Sequence, residues 1–135
     1  MTGRRYLLDT NVLSDLVRNP RGRAAGRIRR LRGGEVCTSI IVAAELRYGA
    51  AKRGAGQIAE RVSELLRRID VIALEAPVDV VYGELRAQLA RAGTLIGPND
   101  MLIAAQAVCL GLTLVTDNER EFARVPGLAV ENWLR

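Results

Sequence analysis

Short apolar segments alternate along the chain with longer segments whose apolar residues repeat at helical spacing. Buried strands are predicted at residues 6–8, 35–38, 71–73 and 112–116, with one more short strand within 128–133. Helices are predicted around residues 12–17 and over 22–32, 39–54, 57–68, 77–93 and 101–110. This alternation is typical of βαβ units around a parallel sheet, so we expect an α/β fold with a central, mainly parallel sheet flanked by helices.

The length of the chain, 135 residues, is that of one ordinary domain, and no repeat or linker divides it. We therefore expect a single domain over residues 1–135. No apolar run approaches the roughly 20 residues of a membrane-spanning helix, and no export signal is visible. Cys37 and Cys109 have apolar neighbours, which favours two buried thiols in a reducing compartment over a disulfide. Together these features predict a cytoplasmic protein that does not contact a membrane.

Charged residues and histidine content limit the partners and reactions that are expected of this chain. The net charge is +5 and Lys52 is the only lysine. Arginines are concentrated in one segment, at Arg18, Arg21, Arg23, Arg27, Arg29, Arg30 and Arg32. Such a density attracts a nucleic-acid backbone but is equally typical of a solvated helix face, and the sequence leaves both interpretations open. The absence of histidine excludes Ser-His-Asp triads, paired-histidine ribonuclease chemistry and histidine-bound zinc, so hydrolysis here would need carboxylates or metals.

Four acidic residues occupy positions that a parallel sheet would bring together. Asp9 and Asp117 each follow a predicted strand, Asp100 lies in the first turn of a helix, and Glu45 lies about a turn and a half into another. Ligands of such sheets bind beyond the carboxyl ends of the strands, so we expect these carboxylates to converge. Each acid alone has a structural alternative, as a helix cap, a turn former or an exposed helix residue. Together they predict one or two hard divalent cations acting on a phosphodiester.

Four ordered segments of the chain resemble the motifs of the PIN-domain ribonucleases, in particular the VapC toxins of bacterial toxin–antitoxin pairs. These segments are LDTNVL at residues 8–13, AELRYG at 44–49, IGPND with LIAA at 96–105 and LVTDN at 114–118, followed by REF at 120–122 and ENW at 131–133. The resemblance covers nearly the whole length of the chain. It implies a PIN-like three-layer fold and a Mg²⁺-dependent endoribonuclease, the toxin of a type II pair, in which a metal-activated water hydrolyses RNA.

The resemblance also implies which residues form the site. Asp9, Glu45 and Asp100 would be the metal-site acids, with Asp9 and Asp100 as direct ligands of Mg²⁺, for which Mn²⁺ is an alternative. The same likeness implies an RNA substrate, a tightly bound VapB-like antitoxin that occludes the site, and a homodimer that buries an apolar helix face.

Residues around these acids are expected to support them. Thr10, Asn11 and Thr116 would orient the carboxylates or the attacking water. Asp117 would be a fourth catalytic acid, although many similar chains have asparagine there and Asn118 is an alternative for the same place. Gln106 departs from the family pattern. It lies in the helix after Asp100, at a position that often holds histidine in similar proteins, so we do not expect a proton donor there.

Three other classes of protein share part of this pattern. A haloacid-dehalogenase-like phosphatase also begins with a strand ending in aspartate, but it needs a second aspartate where this chain has Asn11, and a catalytic lysine where only Lys52 exists. A receiver-like domain would need a lysine late in the chain. A non-catalytic basic module that binds RNA or a partner would account for the arginines but would leave the four acids unexplained.

Overall fold

A central parallel sheet organises the computed structural model, which describes residues 3–54 and 56–135. The strands are β1 (Tyr6–Leu8), β2 (Val36–Ser39), β3 (Asp70–Ile72), β4 (Thr113–Val115) and β5 (Val130–Glu131). Their order across the sheet is β3-β2-β1-β4-β5, and every pairing is parallel. The predicted α/β class is confirmed, and the described sheet contains no antiparallel pair.

Helices connect the strands and cover the sheet. They are α1 (Thr10–Arg18), α2 (Arg23–Arg29), α3 (Ile40–Arg53), α4 (Gly56–Arg68), α5 (Val78–Ala92), α6 (Pro98–Leu110) and α7 (Glu119–Phe122). Six of them match predicted helices, although α2 ends before residue 32, ahead of the glycine pair that precedes β2. The single-turn helix α7 is too short to show helical periodicity and was not predicted. Among the described residues, no helix is long and apolar enough to cross a membrane.

Local sequence signals set the ends of α3, the helix that carries Glu45. The Ser39 hydroxyl accepts a hydrogen bond from the Ile41 amide at 3.1 Å and so caps the helix N-terminus. Gly54 ends the helix in the left-handed conformation, with φ of 69°, which glycine adopts without steric cost. These two residues fix the length and start of α3, as the sequence predicts.

Strand β1 lies at the centre of the sheet and of the core. Leu7 and Leu8 are fully buried, as expected for a strand covered on both faces. The chain winds outward from β1 through β2 to β3, and then crosses to β4 on the other side of β1. The carboxyl ends of β1 and β4 therefore form the topological switch point, where sheets of this kind bind ligands.

The two cysteines differ in environment, which corrects the expectation of two buried thiols. Cys37 is buried in β2, and its thiol donates to the Tyr6 carbonyl oxygen at 3.4 Å. Cys109 lies near the end of α6 and is partly exposed. Neither forms a disulfide, which agrees with the prediction of free thiols.

Candidate active site

Asp9 begins the site at the carboxyl end of β1. Its backbone amide donates to the Val115 carbonyl oxygen at 2.9 Å, continuing the pairing of β1 with β4. The side chain is almost buried, and its Oδ1 accepts a hydrogen bond from the Thr10 amide at 2.8 Å. Oδ2 accepts from the Thr116 hydroxyl at 2.8 Å and from Asn11 Nδ2 at 3.4 Å. Burial raises the pKa of Asp9, and these hydrogen bonds oppose that rise.

Two residues next to Asp9 fix the groups around it. The Thr10 hydroxyl donates to Glu45 Oε1 at 2.8 Å, which ties α1 to α3 across the site. Asn11 uses both ends of its side-chain amide. Its Nδ2 donates to the Thr116 hydroxyl oxygen at 3.3 Å, and its Oδ1 accepts a hydrogen bond from the backbone amide of Asp117 at 2.9 Å. The structure thus brings the predicted supporting residues Thr10, Asn11 and Thr116 into one hydrogen-bonded network with Asp9 and Glu45.

Asp100 lies on the same edge, in the first turn of α6, and forms a carboxyl pair with Glu121 of α7. Burial raises the pKa of Asp100 to about 7, and the hydrogen bond and charge of Glu121 add to the shift, as do the charges of Asp9 and Glu45. The pKa of Glu121 is lowered, chiefly because it accepts the Asp100 hydrogen bond. The pair therefore shares one proton near neutral pH, with Asp100 as its donor.

Glu121 is the site residue that sequence analysis missed as an acid of the cluster. It is held by the Gly97 amide, which donates to Oε1 at 3.0 Å, and by the Asn118 side-chain amide, which donates to Oε2. Its neighbour Phe122 is fully buried and anchors the short helix. The sequence signal that could have identified Glu121 is its position. It follows β4 closely and therefore lies on the same edge of the sheet as Asp9.

The carboxylate of Asp117 contacts Asn132 and Arg135, and no contact with Asp9, Glu45 or Asp100 is found among the described residues. Its Oδ1 accepts from Asn132 Nδ2 at 3.0 Å and lies 3.8 Å from Arg135 Nε. Only the backbone amide of Asp117 contacts the network, through Asn11. Asn118, the alternative for this place, reaches the site through its backbone amide, which donates to the Thr116 hydroxyl oxygen at 3.0 Å. The Asn118 side chain donates to Glu121, whereas the Asp117 side chain contacts Asn132, so the side-chain contacts favour Asn118 as the residue that supports the cluster.

Gln106 lies outside the cluster, in the interior of α6. Its side chain is fully buried, and Nε2 donates to the Ala73 carbonyl oxygen at 3.0 Å. Oε1 has no hydrogen-bond partner among the described residues. The described contacts thus link α6 to the segment after β3.

The donor set fits a hard cation such as Mg²⁺. The chain contains no histidine, and the four clustered groups, Asp9, Glu45, Asp100 and Glu121, offer only oxygen. Within residues 3–54 and 56–135, no three acidic or cysteine side chains converge closely enough to enclose a metal as they stand. Mg²⁺ commonly uses one or two carboxylates and keeps several waters, so full enclosure is not required. The raised pKa of Asp100 reflects repulsion from the neighbouring carboxylates, which a bound cation would relieve.

Comparison with known proteins agrees with this geometry. Residues 6–128 match the PIN domain family. The tRNA(fMet)-specific endonuclease VapC of Shigella flexneri is 38% identical over 133 residues, covering 96% of this chain and 98% of the relative. Ribonuclease VapC2 of Rickettsia felis is 37% identical, covering 95% and 97%.

A solved structure gives the same result for the fold. The crystal structure of VapBC2 from Rickettsia felis, bound to a DNA fragment from its promoter, superimposes with a TM-score of 0.89 at 36% identity, covering 95% of this chain and 98% of that one. The chain therefore belongs to the PIN-domain family, among its VapC ribonucleases.

Proposed function

We propose that this chain is a Mg²⁺-dependent endoribonuclease that hydrolyses a phosphodiester bond of RNA. The observation that carries the proposal is the group of four carboxylates, Asp9, Glu45, Asp100 and Glu121, gathered at the switch point of the sheet. The relatives' names, ribonuclease and endonuclease, support the same class of reaction. The sequence-based alternatives of a phosphatase or a passive binding module gain no comparable support.

Asp9 and Asp100 are the residues proposed to hold the metal, Mg²⁺ or Mn²⁺. A bound ion of this kind lowers the pKa of a water molecule and neutralises charge on the phosphate. Thr116 and Asn11 donate to Oδ2 of Asp9, which fixes the orientation of the carboxylate proposed to bind the cation. Asp100 must release the proton that it shares with Glu121 before both of its oxygens can bind a cation.

Thr10 orients the carboxylate of Glu45. Its hydroxyl donates to one carboxylate oxygen, and the Asn99 side-chain amide approaches the other at 3.4 Å. A carboxylate held from both sides is suited to orient a water molecule and accept its proton. We propose this role for Glu45, and we place Glu121 as the group that accepts the hydrogen bond of protonated Asp100.

The biological setting follows from the same relatives. We propose transfer RNA as the first substrate to test, because the Shigella relative is named for tRNA(fMet). We also propose a toxin role with a VapB-like antitoxin as partner, since the Rickettsia structure is of a VapBC pair. A homodimer and cytoplasmic residence complete the proposal as expectations from the family resemblance.

The test is cleavage of end-labelled transfer RNA in Mg²⁺, in Mn²⁺ and in excess EDTA. We expect internal cuts that leave 5′-phosphates, no cleavage in EDTA, and loss of at least about a hundredfold in rate for Asp9→Asn or Asp100→Asn. Glu84→Gln, an exposed carboxylate of α5, is the matched control and should cleave like the wild type. Full activity in EDTA, or in both aspartate variants, would refute the assignment.

A further inference from the structure

A basic cleft of about 290 Å³ lies between α2 and the C-terminal segment. Arg23, Arg27 and Arg30 line one wall at a spacing of four and three residues, which places them on one helix face. Arg135 also lines the cleft, and no acidic side chain lines it among the residues that the structure describes. We call this feature the arginine cleft.

The charges of the arginine cleft are only partly balanced. Arg27 lies 3.4 Å from Glu131, with its guanidinium 5.3 Å from the centre of the Trp133 ring. Arg135 forms exposed ion pairs with Asp117 at 3.8 Å and Glu119 at 3.9 Å. Exposed pairs of this kind contribute little to stability. Within the part of the chain that the structure describes, Arg23 and Arg30 have no acidic partner. The cleft is therefore suited to bind an anion.

A short chain of hydrogen bonds joins the cleft to the active site. Asn132, which lines the cleft, donates to the Asp117 carboxylate at 3.0 Å, and the Asp117 amide donates to Asn11 at 2.9 Å. Asn11 in turn contacts Asp9. These contacts connect the cleft to the edge of the sheet that carries Asp9, so one bound nucleic-acid strand is the ligand that we assign to both features.

The basic surface continues beyond the cleft. A second cavity of about 580 Å³ shares Arg23 with the arginine cleft and adds Arg18 and Arg21. Arg18 also lines a third cavity, which includes Thr10 and Glu45 of the active site. Five of the seven arginines in the basic segment thus line this connected surface, which favours the nucleic-acid interpretation of the segment over a merely solvated helix face.

We propose that the arginine cleft binds the sugar–phosphate backbone of the RNA substrate at a position outside the bond that is cut. This inference rests on the proposed function and specifies how the substrate is held. Guanidinium groups bind phosphate oxygens in pairs, which lysines cannot do. Trp133, the aromatic residue of the cleft, is 4% exposed and offers no free ring face for base stacking. The cleft therefore contributes affinity and position but not base selectivity.

The test compares two double variants that each remove two positive charges. Arg23→Gln with Arg30→Gln changes the cleft, whereas Arg67→Gln with Arg68→Gln changes the last turn of α4. That turn immediately precedes β3 and lies at the amino edge of the sheet, opposite the active site. Binding of a fluorescein-labelled single-stranded RNA is measured by anisotropy in EDTA over a range of salt concentrations, and cleavage is measured separately in Mg²⁺.

We expect the cleft variant to bind about tenfold more weakly, and its salt dependence, the slope of log K against log salt, to fall by about 1. The α4 variant should change affinity by less than about twofold, and the cleft variant should raise KM more than it lowers kcat. The single variant Arg30→Gln, at an exposed position, should show about half the effect if the double variant folds poorly. Equal affinities and slopes for the two double variants would overturn the inference. If the wild type cleaves RNA in that case, the proposed function stands and only the role of the cleft fails; if it binds no RNA, both fail.

Discussion

Replacing Asp100 by asparagine should stabilise the metal-free protein, and more so at alkaline than at acidic pH. The folded protein holds Asp100 with its pKa raised from 3.8 to about 7, so ionising this group opposes folding. Its contribution to stability is fully present below about pH 4 and is lost as the pH rises through 7. Asparagine keeps a hydrogen-bond donor for Glu121 but carries no charge.

The size of the effect follows from the shift. About three pKa units correspond to ~4 kcal/mol as an upper limit. Solvent screening reduces this value, because Asp100 is partly exposed. The lowered pKa of Glu121 offsets part of the remainder, and the lost carboxylate at the N-terminus of α6 costs about 0.5 kcal/mol. We expect Asp100→Asn to stabilise by about 1–2 kcal/mol more at pH 8 than at pH 5, or roughly 4–8 °C in Tm.

Thermal unfolding followed by circular dichroism in EDTA measures this difference directly. The wild type, Asp100→Asn and the exposed control Glu84→Gln are compared at both pH values. A Tm gain for Asp100→Asn that is the same at pH 5 and pH 8, or a greater loss at pH 8, would show that the carboxyl pair does not hold a proton as described.

Three further results follow from the same contacts. Mg²⁺ should raise the wild-type Tm more at pH 8 than at pH 6, because the proton shared by Asp100 and Glu121 competes with the cation; equal shifts in a metal titration would contradict this. Thr116→Val removes the hydroxyl that donates to Asp9, so the cleavage rate should fall about 10–100-fold while circular dichroism shows a folded protein. Cys109 should react with iodoacetamide well before Cys37, whose pKa burial raises to about 12, and mass spectrometry of the modified peptides would identify the order.

Much of the fold was predictable because its signals are local. The apolar segment ending at Asp9, the cap at Ser39 and the glycine at residue 54 each act within a few residues of themselves. Their structural consequences therefore follow from the sequence alone. The placement of Asp9, Glu45 and Asp100 on one edge follows from the same signals combined with the rule for parallel sheets.

The parts that were not predictable depend on contacts between distant segments. The Asp117 carboxylate accepts a hydrogen bond from Asn132, a residue fifteen positions later that belongs to the segment after β5. Glu121 enters the cluster because the buried side chain of Phe122 fixes a single turn of helix that has no periodic pattern of its own. In both cases, tertiary packing decides which groups the carboxylate contacts.

The central position of β1 predicts slow hydrogen exchange in the strand that leads to the site. Leu7 and Leu8 are paired with β4, and Leu7 also with β2, so their amides should exchange with solvent only when the whole domain unfolds. Asp9 follows Leu8 directly, and the hydrogen bond from its backbone amide to the Val115 carbonyl oxygen should hold its backbone equally rigid. We therefore expect the most slowly exchanging strand of the protein to be the one that ends at Asp9. Activity should persist, with increasing denaturant, up to the point of global unfolding.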